Sequence, residues 1–166
     1  PINLFDQFWK DGRLIILLEV SGYVSYKIPN NIDNLSNMEL LILWDCNCMI
    51  PNTLWGLINL RGLVISRIEN FEPIPPEIGN LVNLEVLHLS EHNYYGEIPN
   101  SIGNLVNLRG LSFSNDYWDT NVIGLSGEIP PEIGHLTSLT RLSLNSNSFT
   151  GEISPEIGNL TSLTNL

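Results

Sequence analysis

Three histidines, His88, His92 and His135, are the side chains of this sequence best suited to acid–base or metal chemistry. A metal site would require cysteine or carboxylate partners at ligand spacing. A hydrolase would require a nucleophile beside a base, or paired carboxylates in a cleft. The cysteines and aspartates around the histidines have no such spacing, and the glycines form no phosphate-binding loop. The sequence therefore predicts a protein that is not an enzyme and that has no catalytic residue, metal or cofactor.

Modification chemistry is indicated at two Asn-X-Ser/Thr sequons, Asn34-Leu35-Ser36 and Asn159-Leu160-Thr161. Both asparagines stand directly before a leucine in a segment that recurs along the chain, where we expect them to point outwards on a turn. Sequons are the acceptor sites of N-glycosylation in secreted proteins. Asn34 and Asn159 are therefore predicted glycosylation sites, and the alternative is that the recurring Asn-Leu pairs produce sequons by chance.

Charge and hydropathy exclude two classes of partner. Acidic residues outnumber basic ones 18 to 7, which gives a formal net charge of −11. Nucleic-acid binding needs a basic stripe that displaces counterions, and anionic membrane surfaces also attract basic segments. No apolar run approaches the roughly 18 residues of a membrane-spanning helix. We expect no nucleic-acid partner and no membrane-spanning segment, and the acidic balance favours cationic partners without naming one.

The elements that position these side chains follow from an internal repeat, which covers nearly the whole chain. Residues 84–107 and 139–162 are both 24 residues long and match at their leucines, at Gly-Glu-Ile and at Ile-Gly-Asn-Leu. Self-similarity at such a period is the signature of a solenoid. An insertion lengthens one copy, 108–138, and the last copy is only begun. The copies are 15–37, 38–59, 60–83, 84–107, 108–138, 139–162 and, in part, 163–166.

Each copy has a simple physical interpretation. Its L-x-x-L-x-L start, as in Leu84, Leu87 and Leu89, alternates side chains in and out and predicts a short strand. The Ile98-Pro99 step fixes φ and lacks an N–H, which suits an extended return segment. No single copy encloses its own apolar face, so the core closes between neighbouring copies. Each buried Leu or Ile then contributes about 1.5–3 kcal/mol.

The repeated motif resembles the plant-specific class of leucine-rich repeats, L-x-x-L-x-L-x-x-N-x-L-(S/T)-G-x-I-P-x-x-I-G-N-L. That class is known from ectodomains of plant receptor-like kinases and from polygalacturonase-inhibiting proteins. The resemblance implies an α/β-type solenoid, a right-handed superhelix with a concave parallel β-sheet and short 3-10 or extended convex segments. It also implies a second, shorter sheet near each Gly-x-Ile-Pro. The implied function is a non-catalytic extracellular or cell-surface module that binds a protein, peptide or polysaccharide.

The two ends of the chain depart from the family pattern. We divide the chain into an N-terminal cap over 1–14 and a solenoid over 15–166, which has six repeats and a partial seventh. Phe5, Phe8 and Trp9 have the i, i+3, i+4 spacing of a helix, so the cap is expected to be helical. The strand at 163–166 has no cap of its own and needs cover from further chain, another domain or a second copy. This need motivates an alternative function, a structural subunit that stacks head to tail.

The family's ladder asparagine, eight positions after the first leucine, is present only as Asn147. Side chains at that position bond the backbone of the turn; cysteine is an accepted alternative and Asp or His can hydrogen-bond there, but Tyr23 and Ile68 cannot. We therefore expect irregular turns in the early repeats. The other residues of this column are Tyr23, Cys46, Ile68, His92 and Asp116.

The candidate partner surface consists of the outward side chains of the strands, the second, fourth and sixth after each opening residue. In the early repeats these are apolar or aromatic, and exposed apolar clusters commonly mark an interface. The alternative is that the N-terminal cap shields part of them. The predicted partner-binding residues of the strands are Leu40, Ile42, Trp44, Val64 and His88.

The insertion at 115–124 adds a second candidate surface. Tyr117 and Trp118 in this insertion are predicted to anchor a partner, because loops on a rigid scaffold often carry function. The alternative is a loop that folds back on its own repeat. The column of Ser66, Ser90 and Ser114 suggests a third function, ice binding, although a regular threonine array is missing.

Overall fold

The computed structural model describes residues 6–10, 13–19, 25–44, 47–67, 72–90, 94–115 and 124–165, and over 6–10, 13–19, 25–27 and 47–48 it describes the backbone alone. The main sheet has seven strands in the order β1-β2-β4-β6-β7-β8-β10. Neighbouring strands from β2 onwards are parallel, and only β1 is antiparallel to its neighbour. The strands are β1 (Asp6–Lys10), β2 (Arg13–Glu19), β4 (Met38–Trp44), β6 (Gly62–Ser66), β7 (Val86–Ser90), β8 (Gly110–Ser112) and β10 (Arg141–Ser143).

Short parallel pairs lie on the return side of the repeats. Strand β3 (Ser25–Lys27) pairs with β5 (Asn47–Met49), and β9 (Ser126–Glu128) pairs with β11 (Ser148–Thr150). Isolated bridges between Pro73 and Tyr95, and between Gly96 and Leu125, join the intervening repeats. The second sheet expected near Gly-x-Ile-Pro is therefore present as short pieces, because each repeat contributes only one to three paired residues there.

Each described repeat returns through a short 3-10 helix. A proline precedes or opens each of the five later helices; Pro75, for example, has φ −77° and accepts a bond of 3.0 Å from the N–H of Ile78. Proline is compatible with this position because its φ is fixed near that value and it has no N–H to satisfy. The helices are η1 (Ile32–Asn34), η2 (Asn52–Gly56), η3 (Pro76–Asn80), η4 (Asn100–Asn104), η5 (Pro131–His135) and η6 (Pro155–Asn159).

The core lies between the main sheet and the 3-10 helices. In repeat 84–107 the strand leucines Leu84, Leu87 and Leu89 are fully buried, and so are Ile102 and Leu105 from the helical side. The same positions of adjacent repeats belong to one continuous apolar cluster. The inward rows predicted from the motif, the parallel sheet and the short 3-10 segments are confirmed, and the architecture is a solenoid.

The expectation of a helical N-terminal segment is wrong. Asp6–Lys10 forms strand β1, which pairs antiparallel with β2 so that Lys10 lies opposite Arg13. Pairing satisfies the main-chain groups along the free edge of β2, and this tertiary effect outweighs the local spacing of Phe8 and Trp9. Phe5 lies outside the described residues. Strand β2 begins at Arg13, and the division into a cap over 1–14 and a solenoid over 15–166 stays a prediction.

No helix among the described residues is both long enough and apolar enough to cross a membrane.

Candidate functional site

The strands bring the predicted partner-binding residues of the early repeats together on the open face, the face of the main sheet turned away from the core. Ile42 lies opposite Val64, and Val64 lies opposite His88, so these residues form one row across β4, β6 and β7. All three are half-buried, as is Leu40. Trp44, at the end of β4, is 41% exposed. The five residues therefore share one surface, and their role in binding stays a prediction.

A guanidinium group accompanies the exposed indole. The Cζ atom of Arg67 lies 5.8 Å from the ring centroid of Trp44, which is within cation–π distance. Arg67 directly follows β6 and has φ 54°, an uncommon backbone conformation for a residue with a side chain. The contact joins two neighbouring repeats beside the row, at the ends of strands β4 and β6. This part of the open face consequently offers a flat aromatic ring with a cation beside it.

The serine column does not lie on the surface, contrary to the sequence prediction. Ser66, Ser90 and Ser114 are 1%, 4% and 8% exposed. The hydroxyl of Ser90 donates to that of Ser66 at 3.3 Å and lies 2.5 Å from Nε2 of His88. These hydroxyls bond to neighbouring side chains instead of facing water, because the sixth position comes at the end of the strand, where the chain leaves the sheet. An ice-binding array cannot be built from this buried column.

Asn147 confirms the role expected of the ladder position. Its side-chain carbonyl accepts the N–H of Leu125 at 2.9 Å. Its amide donates to the main-chain oxygens of Phe113, Leu144 and Asn145. Phe113 precedes the insertion and Leu125 follows it, so one side chain holds both ends of the inserted segment. Tyr117 and Trp118, and the remaining ladder residues Tyr23, Cys46, Ile68, His92 and Asp116, lie outside the described residues.

The two sequon asparagines are exposed. Asn34 is the last residue of η1, and Asn159 is the last residue of η6. Both stand on the turn that leads into the next strand, in the orientation expected from the repeat. Glycosylation at these positions stays a prediction.

A polar groove, which was not predicted from the sequence, runs along the edge where the parallel strands begin. We call it the edge groove; its volume is about 790 Å³. Its asparagines are fixed by the preceding repeats, because Asn59, Asn83 and Asn107 donate to main-chain oxygens there at 2.7–2.9 Å. The lining residues are Asn37, Glu39, Asn59, Arg61, Asn83, Glu85, Asn107, Arg109 and Ser138.

Charges of alternating sign follow the edge groove. Arg61 donates from Nε to the Glu85 carboxylate at 2.8 Å and makes a second bond to it from Nη2, while its Nη1 lies 3.9 Å from Glu39. The hydrogen bond that Arg61 donates to Glu85, and the negative charge of Glu85, raise the pKa of Arg61. A signal for this ladder was available, because the residue after each opening Met or Leu reads Glu39, Arg61, Glu85, Arg109. It becomes visible only when the repeats are aligned.

Among the described residues, no group of three or more His, Cys, Asp or Glu side chains is arranged to hold a metal ion. His88 lies on the open face and His135 is the last residue of η5. His92 lies outside the described residues. The structure instead brings together amides, hydroxyls, an ion-paired arginine and an apolar row. Groups of these kinds are suited to binding a partner.

Comparison with known proteins agrees with this architecture. The leucine-rich repeat region family matches residues 45–166. No curated protein sequence is significantly similar to the chain. Among solved structures, the ectodomain of the receptor kinase GASSHO1/SCHENGEN3 from Arabidopsis thaliana, in complex with Casparian strip integrity factor 2, is 34% identical over 84% of the chain, with a TM-score of 0.75. The plant peptide hormone receptor RGFR1, in complex with RGF2, is 37% identical over 84% of the chain, with a TM-score of 0.70.

The chain spans only a small part of those receptors, 16% of the first and 23% of the second. A plant ice-binding protein has a similar structure over 99% of the chain and 67% of its own length, with a TM-score of 0.70. At 21% identity this likeness concerns the fold alone.

Proposed function

The chain belongs to the leucine-rich-repeat family, and on this premise we propose that it is a non-catalytic extracellular module that binds a protein or peptide through its open face. The observation that carries the proposal is the apolar row of Ile42 and Val64, which continues to His88 and is flanked by Leu40 and the exposed Trp44. A solvent-facing sheet surface with a large aromatic side chain is typical of binding sites.

Two receptors that resemble the chain over most of its length support a protein or peptide as the partner. GASSHO1/SCHENGEN3 was solved with an integrity factor, and RGFR1, described as a peptide hormone receptor, was solved with RGF2. Both are named as receptors, and the first as a membrane receptor ectodomain, which supports an extracellular location. A polysaccharide partner has no such support among the similar structures.

The size of the sheet limits how the partner binds. Six parallel strands at a spacing of about 4.8 Å span roughly 30 Å, and five residues of strand span about 17 Å. The product is on the order of 500 Å², against about 800 Å² per partner in a stable interface. A tight complex must therefore extend beyond the open face, onto the edge groove, the insertion or further repeats of a longer protein.

The alternatives from the sequence have less support. Ice binding relied on a serine column that is buried. Head-to-tail assembly was motivated by the uncapped last strand at 163–166, but Leu163 is half-buried and packs against the core, and the exposed Ile153 also suits an ordinary solvent-facing turn. Neither alternative explains why Trp44 and the row beside it face away from the core.

In the first step of the test, the immobilised chain is exposed to a fraction of secreted proteins and peptides. The ligands that it retains are identified by mass spectrometry. Each identified ligand is then synthesised and titrated calorimetrically against the chain and two variants. Trp44→Ala should weaken binding at least tenfold, and Ile153→Ala, a truncation of a more exposed apolar side chain away from the open face, should not change it. Melting temperatures within about 2 °C of the parent would show that both variants fold. Equal affinities of the parent and Trp44→Ala for every ligand would contradict the proposal.

A further inference from the structure

A column of alternating charges in the edge groove carries no net charge of its own. Its members are the second residues of four successive repeats, and we call them the charge column: Glu39, Arg61, Glu85 and Arg109. Because two positive and two negative charges cancel, the whole formal net charge of −11 lies elsewhere on the chain. Two copies of so acidic a chain repel each other in general. The charge column adds nothing to this repulsion, so it is a place where two copies can approach.

The order of the charges in the column is self-complementary. A two-fold axis that passes between Arg61 and Glu85 reverses the column, so each charge of one copy faces the opposite sign in the other. Arg61 then faces Glu85 of the second copy, and Glu39 faces Arg109 of the second copy. Because each of these pairs occurs twice, four opposite-charge pairs form in one contact.

The length of the charge column also matters, because an odd number of alternating charges would bring like charges together when the series is reversed. Level with Glu39, strand β2 has Leu14 and Ile15. Beyond Arg109, the column continues with the uncharged Thr140. The series therefore has four charges, an even number that suits the two-fold axis.

The new pairs can form without breaking those within each copy. Arg61 donates from Nε and Nη2 to Glu85 of its own chain. Its Nη1 lies 3.9 Å from Glu39, beyond hydrogen-bond distance, so the donors on Nη1 remain for a carboxylate of the second copy. Two arginines and two glutamates would then alternate around the axis. A network of this kind stabilises more than an isolated pair on the surface does.

Exposed apolar side chains lie on both sides of the charge column. Ile58, Val82 and Val106 lie between the 3-10 helices and the groove and are 54%, 44% and 49% exposed. On the other side, where the open face begins, Val86 is 44% exposed. The two-fold axis places one side of the column over the other side in the second copy, so Ile58 faces Val86. Burial of these side chains adds an apolar contribution to the ion pairs.

We propose that two copies of the chain associate through the edge groove as a two-fold dimer, with their repeats running in opposite directions. The charge column favours a second copy over another protein. Any partner must match the order of the charges, but only a second copy requires that order to be its own complement. The inference does not rest on the proposed function, because Trp44 lies at the opposite end of β4 from the charge column.

The size of the contact predicts a weak dimer. The groove crosses five repeats, or about 19 Å, and five residues from Ile58 to the start of the open face span about 17 Å. The product is on the order of 300 Å² per copy, well below the roughly 800 Å² of a stable interface. Association must therefore be measured at high protein concentration.

The first test is sedimentation equilibrium of the 166-residue chain at concentrations from about 10 µM to about 1 mM. The mean mass should rise from that of one chain towards that of two. Arg109→Glu and Glu39→Arg should each weaken association roughly tenfold or more, because each places two pairs of like charges across the axis. Lys27→Glu changes the net charge as Arg109→Glu does, but it lies in β3 on the return side and should have a far smaller effect.

A mixture of the two variants tests the two-fold arrangement itself. When a copy with Arg109→Glu faces a copy with Glu39→Arg, every position has opposite charges, so the equimolar mixture should associate as tightly as the parent. The chain with both substitutions should recover in the same way. Within one chain the two positions are three strand spacings, or about 14 Å, apart, so they do not pair there. Misfolding of either variant could not be repaired by mixing.

Three outcomes would overturn the proposal. They are a parent chain that stays a monomer at about 1 mM, single variants that associate as tightly as the parent, and a mixture that associates no more than its separate components. Each of them leaves the test of the open face with Trp44→Ala unaffected.

Discussion

The glycines of the Ile-Gly pairs in η3, η4 and η5 set how closely successive repeats stack, and replacing one of them tests the packing directly. A Cβ atom on Gly134 would lie 2.4 Å from the carbonyl oxygen of Glu156 and 2.8 Å from the carbonyl carbon. These are main-chain atoms of the next repeat, so no side-chain rotation relieves the contact. Ordinary van der Waals distance is about 3.5 Å, and η5 and η6 would have to separate by roughly 1 Å.

Gly158 provides the matched control. It has the same Pro-Glu-Ile-Gly context in η6, but a Cβ atom there would meet nothing within 4 Å. Glycine-to-alanine replacement restricts the unfolded chain equally at both positions, which by itself stabilises by about 0.4–1 kcal/mol. The difference between the two variants therefore isolates the close approach. Overpacking of this kind costs about 1–3 kcal/mol, so Gly134→Ala should be less stable than Gly158→Ala by that amount.

The assay is urea unfolding of the chain and the two variants at one pH and protein concentration. We expect Gly158→Ala to unfold at a slightly higher urea concentration than the parent and Gly134→Ala at a clearly lower one, with the same slope for all three. In melting experiments a difference of 1–3 kcal/mol corresponds to roughly 2–12 °C for a domain of this size. Equal stabilities of Gly134→Ala and Gly158→Ala would refute the reasoning.

Three further outcomes are expected. Asn147→Ala should lower the free energy of unfolding by about 1–3 kcal/mol in urea titration, because main-chain groups at both ends of the insertion lose their partner; an unchanged value would contradict the ladder role. Burial raises the pKa of Tyr94 in the folded chain above the unfolded-state pKa of about 10. The free energy of unfolding should therefore be unaffected by this tyrosine below pH of about 10, and should fall by up to about 1.4 kcal/mol per pH unit above it. Tyr94→Phe should flatten that alkaline slope, and equal slopes would argue against the buried phenol as its cause. If the sequons are used, the secreted chain should lose mass on deglycosylation, and Asn34→Gln and Asn159→Gln should each remove one glycan; no mass change would contradict both sites.

The buried residues of the core could be predicted because their positions depend only on the spacing of leucines within each repeat. Leu84, Leu87 and Leu89 point inwards in a strand whatever their neighbours are, since side chains alternate along an extended backbone. The proline before each 3-10 helix likewise acts within one repeat. Stacking identical units then places every inward row beside the next, which is why the sheet order follows the order of the repeats.

The N-terminal strand could not be predicted in the same way. Phe8 and Trp9 have a helical spacing, but the deciding partner is the free edge of β2, which is defined only once the sheet exists. The prediction that the serine column is exposed was wrong for a related reason. Ser66 and Ser90 are the last residues of their strands; their hydroxyls bond to each other across the repeat boundary, and that of Ser90 also bonds to His88 of its own strand. Alternation predicts which way a side chain leaves the backbone, and not what covers it afterwards.

The candidate sites are found where the regularity of the solenoid ends. In a stack of repeats every column becomes a ladder, and like charges in a column repel each other, whereas the alternating charges of Glu39, Arg61 and Glu85 attract. Arg109 continues this alternation, and the column then ends in the uncharged Thr140 and Thr164, whose hydroxyls donate to main-chain oxygens of the preceding repeats. The repeat pattern specifies the fold, and its local departures, such as the exposed Trp44 and the insertion whose ends Asn147 holds, are where we expect a partner to bind.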